Sequence, residues 1–414
     1  MTSIELSPAP AGAAASLLTA RAVRERCHRI LEIGEADGLS HFSVAADRLD
    51  ATADLVIETT RQAYPDLDIP FHARWRHFVV DGADRWQAMA GALAVDPAEL
   101  ARIRIDLAVT SVLLDAGAGA RWRFRDPRSP AVLARSEGLA IASLEAFAAG
   151  LFSSRPDRPL AADAGGLKAV TAGSLGAAFQ VTADNPLDGL DGRVLLMNRL
   201  GDALEASPAY FGAEAPRVGH LFDHLARQVP AGLTAARLLE VVLDAFGAIW
   251  PGRLSLGGVN LGDTWRHPAL VTPDETSGLV PFHKLSQWLT YSLIEPLAEA
   301  GLPVADLDGL TGLAEYRNGG LFVDTGVLVP RELRTLEAAF APGDEAIVEW
   351  RALTVALLDR LAERVRARLG RTAGTLPLAS VLEGGTWSAG RRIAAERRPG
   401  GPPPIAIESD GSVF

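Results

Sequence analysis

The sequence predicts a mainly α-helical protein of two lobes with a few short strands, and three observations carry that expectation. Alanine and leucine dominate, while Phe, Tyr and Trp together make up only 6% of the chain, a composition that favours helices. Apolar residues recur every three or four positions over long stretches such as Ala14–Ile33 and Ala346–Leu369. At 414 residues the chain exceeds the size at which one core usually stops growing. The division expected is a flexible arm over 1–13, a helical subdomain over 14–155 and a second over 156–414. The Ser, Pro and charge-rich break Ser153–Pro159 marks the boundary.

The elements follow in order. Ser7–Ala13 is rich in Pro, Ala and Gly and reads as a loose arm. Ala14–Ile33 is a helix that Gly34 can end, with Cys27 inside it as a small buried hydrophobe. Ala45–Tyr64 is the next helix, closed by Pro65. Pro70–Phe78 packs three aromatics, two Arg and two His into nine residues; a ring-stacking, anion-holding wall and a Trp/Arg packing cluster both fit it. Pro97–Leu114 and Ala131–Leu151 are helical by pattern, and the basic run Arg121–Arg125 between them reads as a solvated, ion-paired loop or as a phosphate contact. The glycines at 165, 166, 173 and 176 lack phosphate-loop spacing, so no nucleoside triphosphate site is expected. Helices follow over Arg193–Ala206 and Thr234–Ile249, then a short strand or loop over Leu254–Val259. Asn260–Pro268 is rich in hydrogen-bonding groups; a functional loop and a turn held by Asp263 and packed by Trp265 are both open. A helix starts at Lys284 and should kink or end at Pro296, and Arg331–Phe340 and Ala346–Leu369 are further helices. The tail from Glu383 to Ile407 is too ornate for a disordered end and is expected to strap back over the body.

Composition narrows the function. Hydrophobic residues at 48% and charged residues at 22% fit a soluble globular protein. A formal net charge of −11 argues against a broad nucleic-acid surface, leaving room for one local phosphate pocket. The single cysteine rules out a disulfide or thiolate cluster. The amino terminus lacks a basic region followed by an apolar core, and long uncharged apolar runs are absent, so the cytoplasm is the expected compartment.

Two blocks mix charge, aromatic rings and glycine where a plain core would carry aliphatics. One is Pro281-Phe282-His283-Lys284-Leu285-Ser286-Gln287-Trp288; the other is Ala314-Glu315-Tyr316-Arg317-Asn318-Gly319-Gly320-Leu321-Phe322-Val323-Asp324. Lys284, Gln287, Tyr291 and Glu295 share one helical stripe. Gly319 and Gly320 read as a turn that ends the preceding element and places Glu315 and Arg317 beside it.

These two blocks, with the ending Ser409-Asp410-Gly411-Ser412-Val413-Phe414, resemble the uracil-catabolism protein family of fungi and bacteria over nearly the whole chain. The resemblance implies a pyrimidine-degradation route through a ribosylurea-type intermediate. A second likeness is to the queuosine-salvage N-glycosidases, over about a quarter of the chain. Their Lys-x-x-Gln helix matches Lys284 and Gln287, and their Ala-Asp-Tyr-Arg motif matches Ala314-Glu315-Tyr316-Arg317 with Glu for Asp. That likeness implies a DNA-glycosylase-like helical architecture and cleavage of a ribosyl–base bond. The sequence departs from it at Ser292, where an Asp would be expected.

N-glycoside hydrolysis passes through an oxocarbenium-like state and needs a carboxylate near the anomeric carbon. The expected catalytic acids are Glu315 and Asp324, with a turn-capping role for Asp324 and a structural ion pair of Glu315 with Arg317 as the competing readings. Lys284 and Arg317 would hold a sugar phosphate. Gln287 and Asn318 would read the urea or pyrimidine amide edge, with His283 and Trp288 beside them, Trp288 serving as core or as platform. The expected ligand is a small ribosyl compound, with no cofactor, no metal, no nucleic acid and no membrane. Two other classes stay open: a metal-dependent amidohydrolase using His220 and His224, and a non-catalytic binding protein for a pathway intermediate.

Overall fold

Helices carry most of the chain, as the alanine and leucine content predicts. The computed structural model describes residues 4–6, 11–228, 232–251, 253–332 and 334–408, and its fold is mainly α with short strands. The ending Ser409–Phe414 lies outside the described residues. Contacts divide the chain into two units: residues up to His72 with Gly252–Gln287 and Asp306–Glu408, and Ala73–Pro251 with Trp288–Ala305. The Ser153–Pro159 segment lies inside the second unit. Among the described residues no helix is long and apolar enough to cross a membrane.

In the first unit the helix Glu345–Leu369 is the organising element, packed against Ala20–Glu35 and Leu49–Ala63. Its residues from Ala346 to Leu358 are all buried, so it behaves as a core helix. Thr19 caps the Ala20 helix by accepting the Ala22 N–H, which splits the expected Ala14–Ile33 helix into Ala11–Leu17 and Ala20–Glu35. Cys27 is fully buried there, and burial pushes its thiol far up from the usual range.

The unit's edges are stitched by short strands. Ile4–Glu5 pairs in parallel with Leu254–Ser255, Phe42–Val44 antiparallel with Leu328–Pro330, and Thr264–Arg266 antiparallel with Leu279–Pro281. Of the arm expected over 1–13, Ala11–Ala13 begins a helix, and residues 7–10 lie outside the described residues. The expected Arg331–Phe340 helix shrinks to Arg334–Glu337. Ala339–Phe340 is instead a strand, pairing in parallel with Ala406–Ile407, which straps the tail back.

The second unit is held by buried cations. Arg193 donates to the carbonyls of Leu114, Ala116, Gly117 and Asp188, and burial lowers its guanidinium to about 10. Arg217 pairs with Asp106 at 2.6 Å, yet burial still carries that carboxyl up to about 7. The Pro70–Phe78 block is largely packing from Arg74 onward. Arg74 is buried against the Trp288 ring at 5.5 Å, and Trp75 Nε1 donates to the Ser292 carbonyl at 2.8 Å. Pro296 sits inside the helix Lys284–Glu299 without ending it.

Candidate functional site

Glu315 stands in extended conformation immediately before the helix Tyr316–Asp324 and caps it with both carboxylate oxygens. They accept from the Arg317 N–H at 2.8 Å and the Asn318 N–H at 2.6 Å. Gly319 and Gly320 do not form the expected turn. They lie within this helix, where neighbours press close: a Cβ on Gly319 would fall 2.7 Å from the Trp350 ring, and one on Gly320 would fall 3.0 Å from Pro404. Gly390 serves the same end on the helix Trp387–Arg397, since a Cβ there would meet the Arg317 carbonyl oxygen at 2.2 Å.

Glu315 as a residue is 7% exposed. Burial raises its pKa above the usual carboxylate value, against the opposing pull of its two N–H donors and of Lys284 and His72. Lys284 begins the helix Lys284–Glu299, and its main-chain N–H donates to Asp263 Oδ2 at 3.0 Å. Asp263 also takes both Arg351 terminal nitrogens, at 2.9 and 2.8 Å, and the Trp265 indole N–H. Burial opposes that charge, yet Arg351 holds the Asp263 carboxyl well below its ordinary range. Asp263 is thus the turn-holding residue of the Asn260–Pro268 segment. His283, just ahead of Lys284, has φ 49, a left-handed conformation that a histidine adopts at some cost.

His72, from another part of the chain, is the other side chain whose electrostatics bear on Glu315. Its Nδ1–H donates to Glu383 Oε2 at 2.7 Å, and the Tyr64 hydroxyl lies 3.4 Å from Glu383 Oε1. Glu383 is carried on Leu382–Thr386, a π-helical turn of a kind often found at functional sites. Gly384 and Gly385 let that turn press onto Leu49–Ala63: a Cβ on Gly385 would sit 2.4 Å from Val56. The Trp387 ring lies 6.4 Å from His72, and the Arg391 guanidinium lies 5.5 Å from the same indole.

Of the residues expected from sequence, Lys284 acts electrostatically on Glu315. The others have internal commitments. Gln287 donates to Thr311 Oγ1 and the Phe282 carbonyl and accepts the Thr311 N–H. Asn318 donates to the Leu313 carbonyl and accepts from Thr386. Arg317 lies 5.0 Å over Tyr316 and donates to the Gly401 carbonyl, so no Glu315–Arg317 side-chain ion pair forms. Asp324 is gripped by both terminal nitrogens of Arg398, and His283 donates to the Leu17 carbonyl. Trp288 is a buried side chain of the second unit, where Ser292 Oγ accepts the Arg74 N–H. The imidazoles of His220 and His224 donate to the carbonyls of Phe211 and Ala209, and neither belongs to a metal-capable cluster among the described residues.

His72, Glu383 and Tyr64 were not among the expected site residues. The available signal was the pair of unusual segments, Pro70–Phe78 and Glu383–Arg392, which only the fold shows to meet.

The fold is that of a helical protein, and its candidate site holds a desolvated carboxylate with an amine and a carboxylate-bonded imidazole as its electrostatic partners. The chain belongs to the family described as "Protein of unknown function (DUF1688)", whose model matches residues 16–414. It is 40% identical to "Protein urg3" of Schizosaccharomyces pombe, over 97% of this chain and 98% of that one. It is 38% identical to "Uracil catabolism protein 4" of Lachancea kluyveri, over 95% of this chain and 97% of that one. The resemblance read from the Pro281 and Glu315 blocks is thereby borne out.

Proposed function

We propose that this protein acts in uracil catabolism, hydrolysing the N-ribosyl bond of a ribosylurea-type intermediate or a related nucleoside phosphate. The pathway rests on the name of the Lachancea kluyveri relative and on near full-length similarity to it. The reaction rests on Glu315: a buried carboxylate whose pKa is raised by burial, against the pull of Lys284 and His72.

In this reading Glu315 balances positive charge at the anomeric carbon and takes a proton from the attacking water, a task that a more basic carboxylate performs better. His72, oriented through Nδ1 by Glu383, presents its other ring nitrogen to protonate the departing urea nitrogen. Lys284 holds a sugar or phosphate oxygen as a compact point charge. Asp324 and Arg317, tied to Arg398 and Gly401, support the helix behind Glu315.

Purified protein incubated with ribosylurea, and separately with its 5′-phosphate, should release free urea. Tight binding of either compound with no urea released would identify a binding protein instead.

A further inference from the structure

A second group of ligand-type side chains lies in the first unit, unused by the chemistry above. Glu345 and Glu349 stand one turn apart on the helix Glu345–Leu369, and His41 immediately precedes the strand Phe42–Val44. One ligand atom from each of the three lies within 4.8 Å of the others. A carboxylate in a helix's first turn is favoured by the helix dipole alone, so Glu345 by itself means little. His41 and the environment of Glu349 decide the matter.

His41 Nε2 and Glu345 Oε1 are 3.6 Å apart. That is too long for a hydrogen bond. It is close to the roughly 3.4 Å that separates two ligands of a tetrahedral zinc with bonds of about 2.0–2.1 Å. Glu349 is fully buried, and among the described residues neither a guanidinium nor an ammonium pairs with it. Its Oε1 accepts the main-chain N–H groups of His41 and Phe42 at 3.1 and 2.7 Å. Its Oε2 lies 3.3 Å from Nε2 of buried His267, whose Nδ1 accepts the Ala269 N–H at 3.3 Å. That bond places the His267 proton on Nε2, directed at Glu349, the outer hydrogen bond that steadies a metal-binding carboxylate.

We propose that His41, Glu345 and Glu349 bind a divalent transition-metal ion of the zinc or cobalt type, with water completing the shell on the half-exposed side. The ion neutralises the two carboxylates and fastens the start of the Glu345 helix to the Phe42 strand. Its role is structural, and it does not depend on the glycosidase reading.

The test uses the full chain stripped with a chelator and titrated with Co2+ alone, then Zn2+ alone, followed by calorimetry and by the visible absorption of bound cobalt. One ion per chain is expected, with a melting temperature that climbs with metal concentration. His41→Ala and Glu345→Gln, both at half-exposed positions, should each weaken binding roughly tenfold or more. Absence of saturable one-to-one binding overturns the proposal, as does an affinity that neither substitution changes. Should a variant fail to fold, the titration and melting shift of the unsubstituted chain decide alone.

Discussion

His72 and Glu383 are 311 positions apart in sequence, yet their side chains meet at 2.7 Å. The contact requires Gly384 and Gly385 to let the π-helical turn lie flat on Val56 and Thr60. If His72 is the proton donor, the carboxylate that orients it should matter to rate and not to affinity. Glu383→Gln should lower kcat on the order of 10²-fold with KM little changed, and Glu383→Asp should recover part of the loss. Steady-state kinetics on urea release check this; a change confined to KM would remove the orienting role.

Glu315→Gln should reduce urea release by about 10²-fold or more. It also places an amide nitrogen against a main-chain N–H, costing about 1–3 kcal/mol through a lost cap. Thermal unfolding run beside the assay separates the two effects. Undiminished turnover in a folded Glu315→Gln protein would take Glu315 out of the chemistry.

The pH dependence follows from the raised pKa of Glu315. Working as a base, it must be ionised, so the acid limb of kcat/KM should lie above the ordinary glutamate value and vanish in the Gln variant. The stability sign is opposite. The folded state holds this proton more tightly than the unfolded chain, so Glu315 lowers stability as pH rises through its folded pKa and relieves that cost below it. Denaturation midpoints across the acid range, unsubstituted protein against Glu315→Gln, measure the contribution.

Asp263 runs the other way. Its depressed pKa means that it stabilises the fold above the unfolded aspartate value and loses that contribution as pH falls toward its folded pKa. Asp263→Asn leaves the buried Arg351 without its carboxylate and should cost about 3–5 kcal/mol in urea denaturation.

Two glycines give a packing test. Gly390→Ala drives a methyl into the Arg317 carbonyl oxygen and should cost about 1–3 kcal/mol or more. Gly173→Ala, on the Ala172–Ala178 helix with its nearest neighbour at 3.7 Å, should stabilise by about 0.5–1 kcal/mol. Matched melting curves compare them, and equal effects would show that the Gly390 crossing is loose.

Local patterns were legible where one helix decides its own limits: Pro97–Leu113 and Glu345–Leu369 fall within a residue of expectation. The strap of Ala406–Ile407 was legible because an ornate tail needs a partner. Gly319 and Gly320 misled, since a glycine pair signals a turn equally as well as a close helix crossing, and only Trp350 and Pro404 tell the two apart. Arg331–Phe340 misled for a similar reason, because Ala339–Phe340 takes its strand form from a partner far along the chain. Gln287 and Asn318 looked like substrate readers because sequence shows donors and acceptors but not what already satisfies them.

The first unit is assembled from three stretches of chain, with the second unit's longest stretch encoded between the first two. During synthesis at about 5–20 residues per second, Glu383 emerges roughly 15–60 s after His72. Throughout that interval Ala73–Pro251 can collapse on the ribosome, while the apolar faces of Ala20–Glu35 and Leu49–Ala63 await the Glu345–Leu369 helix. Those orphaned early helices are the surface that a nascent-chain chaperone must cover, and the place where an interrupted translation product would begin to aggregate.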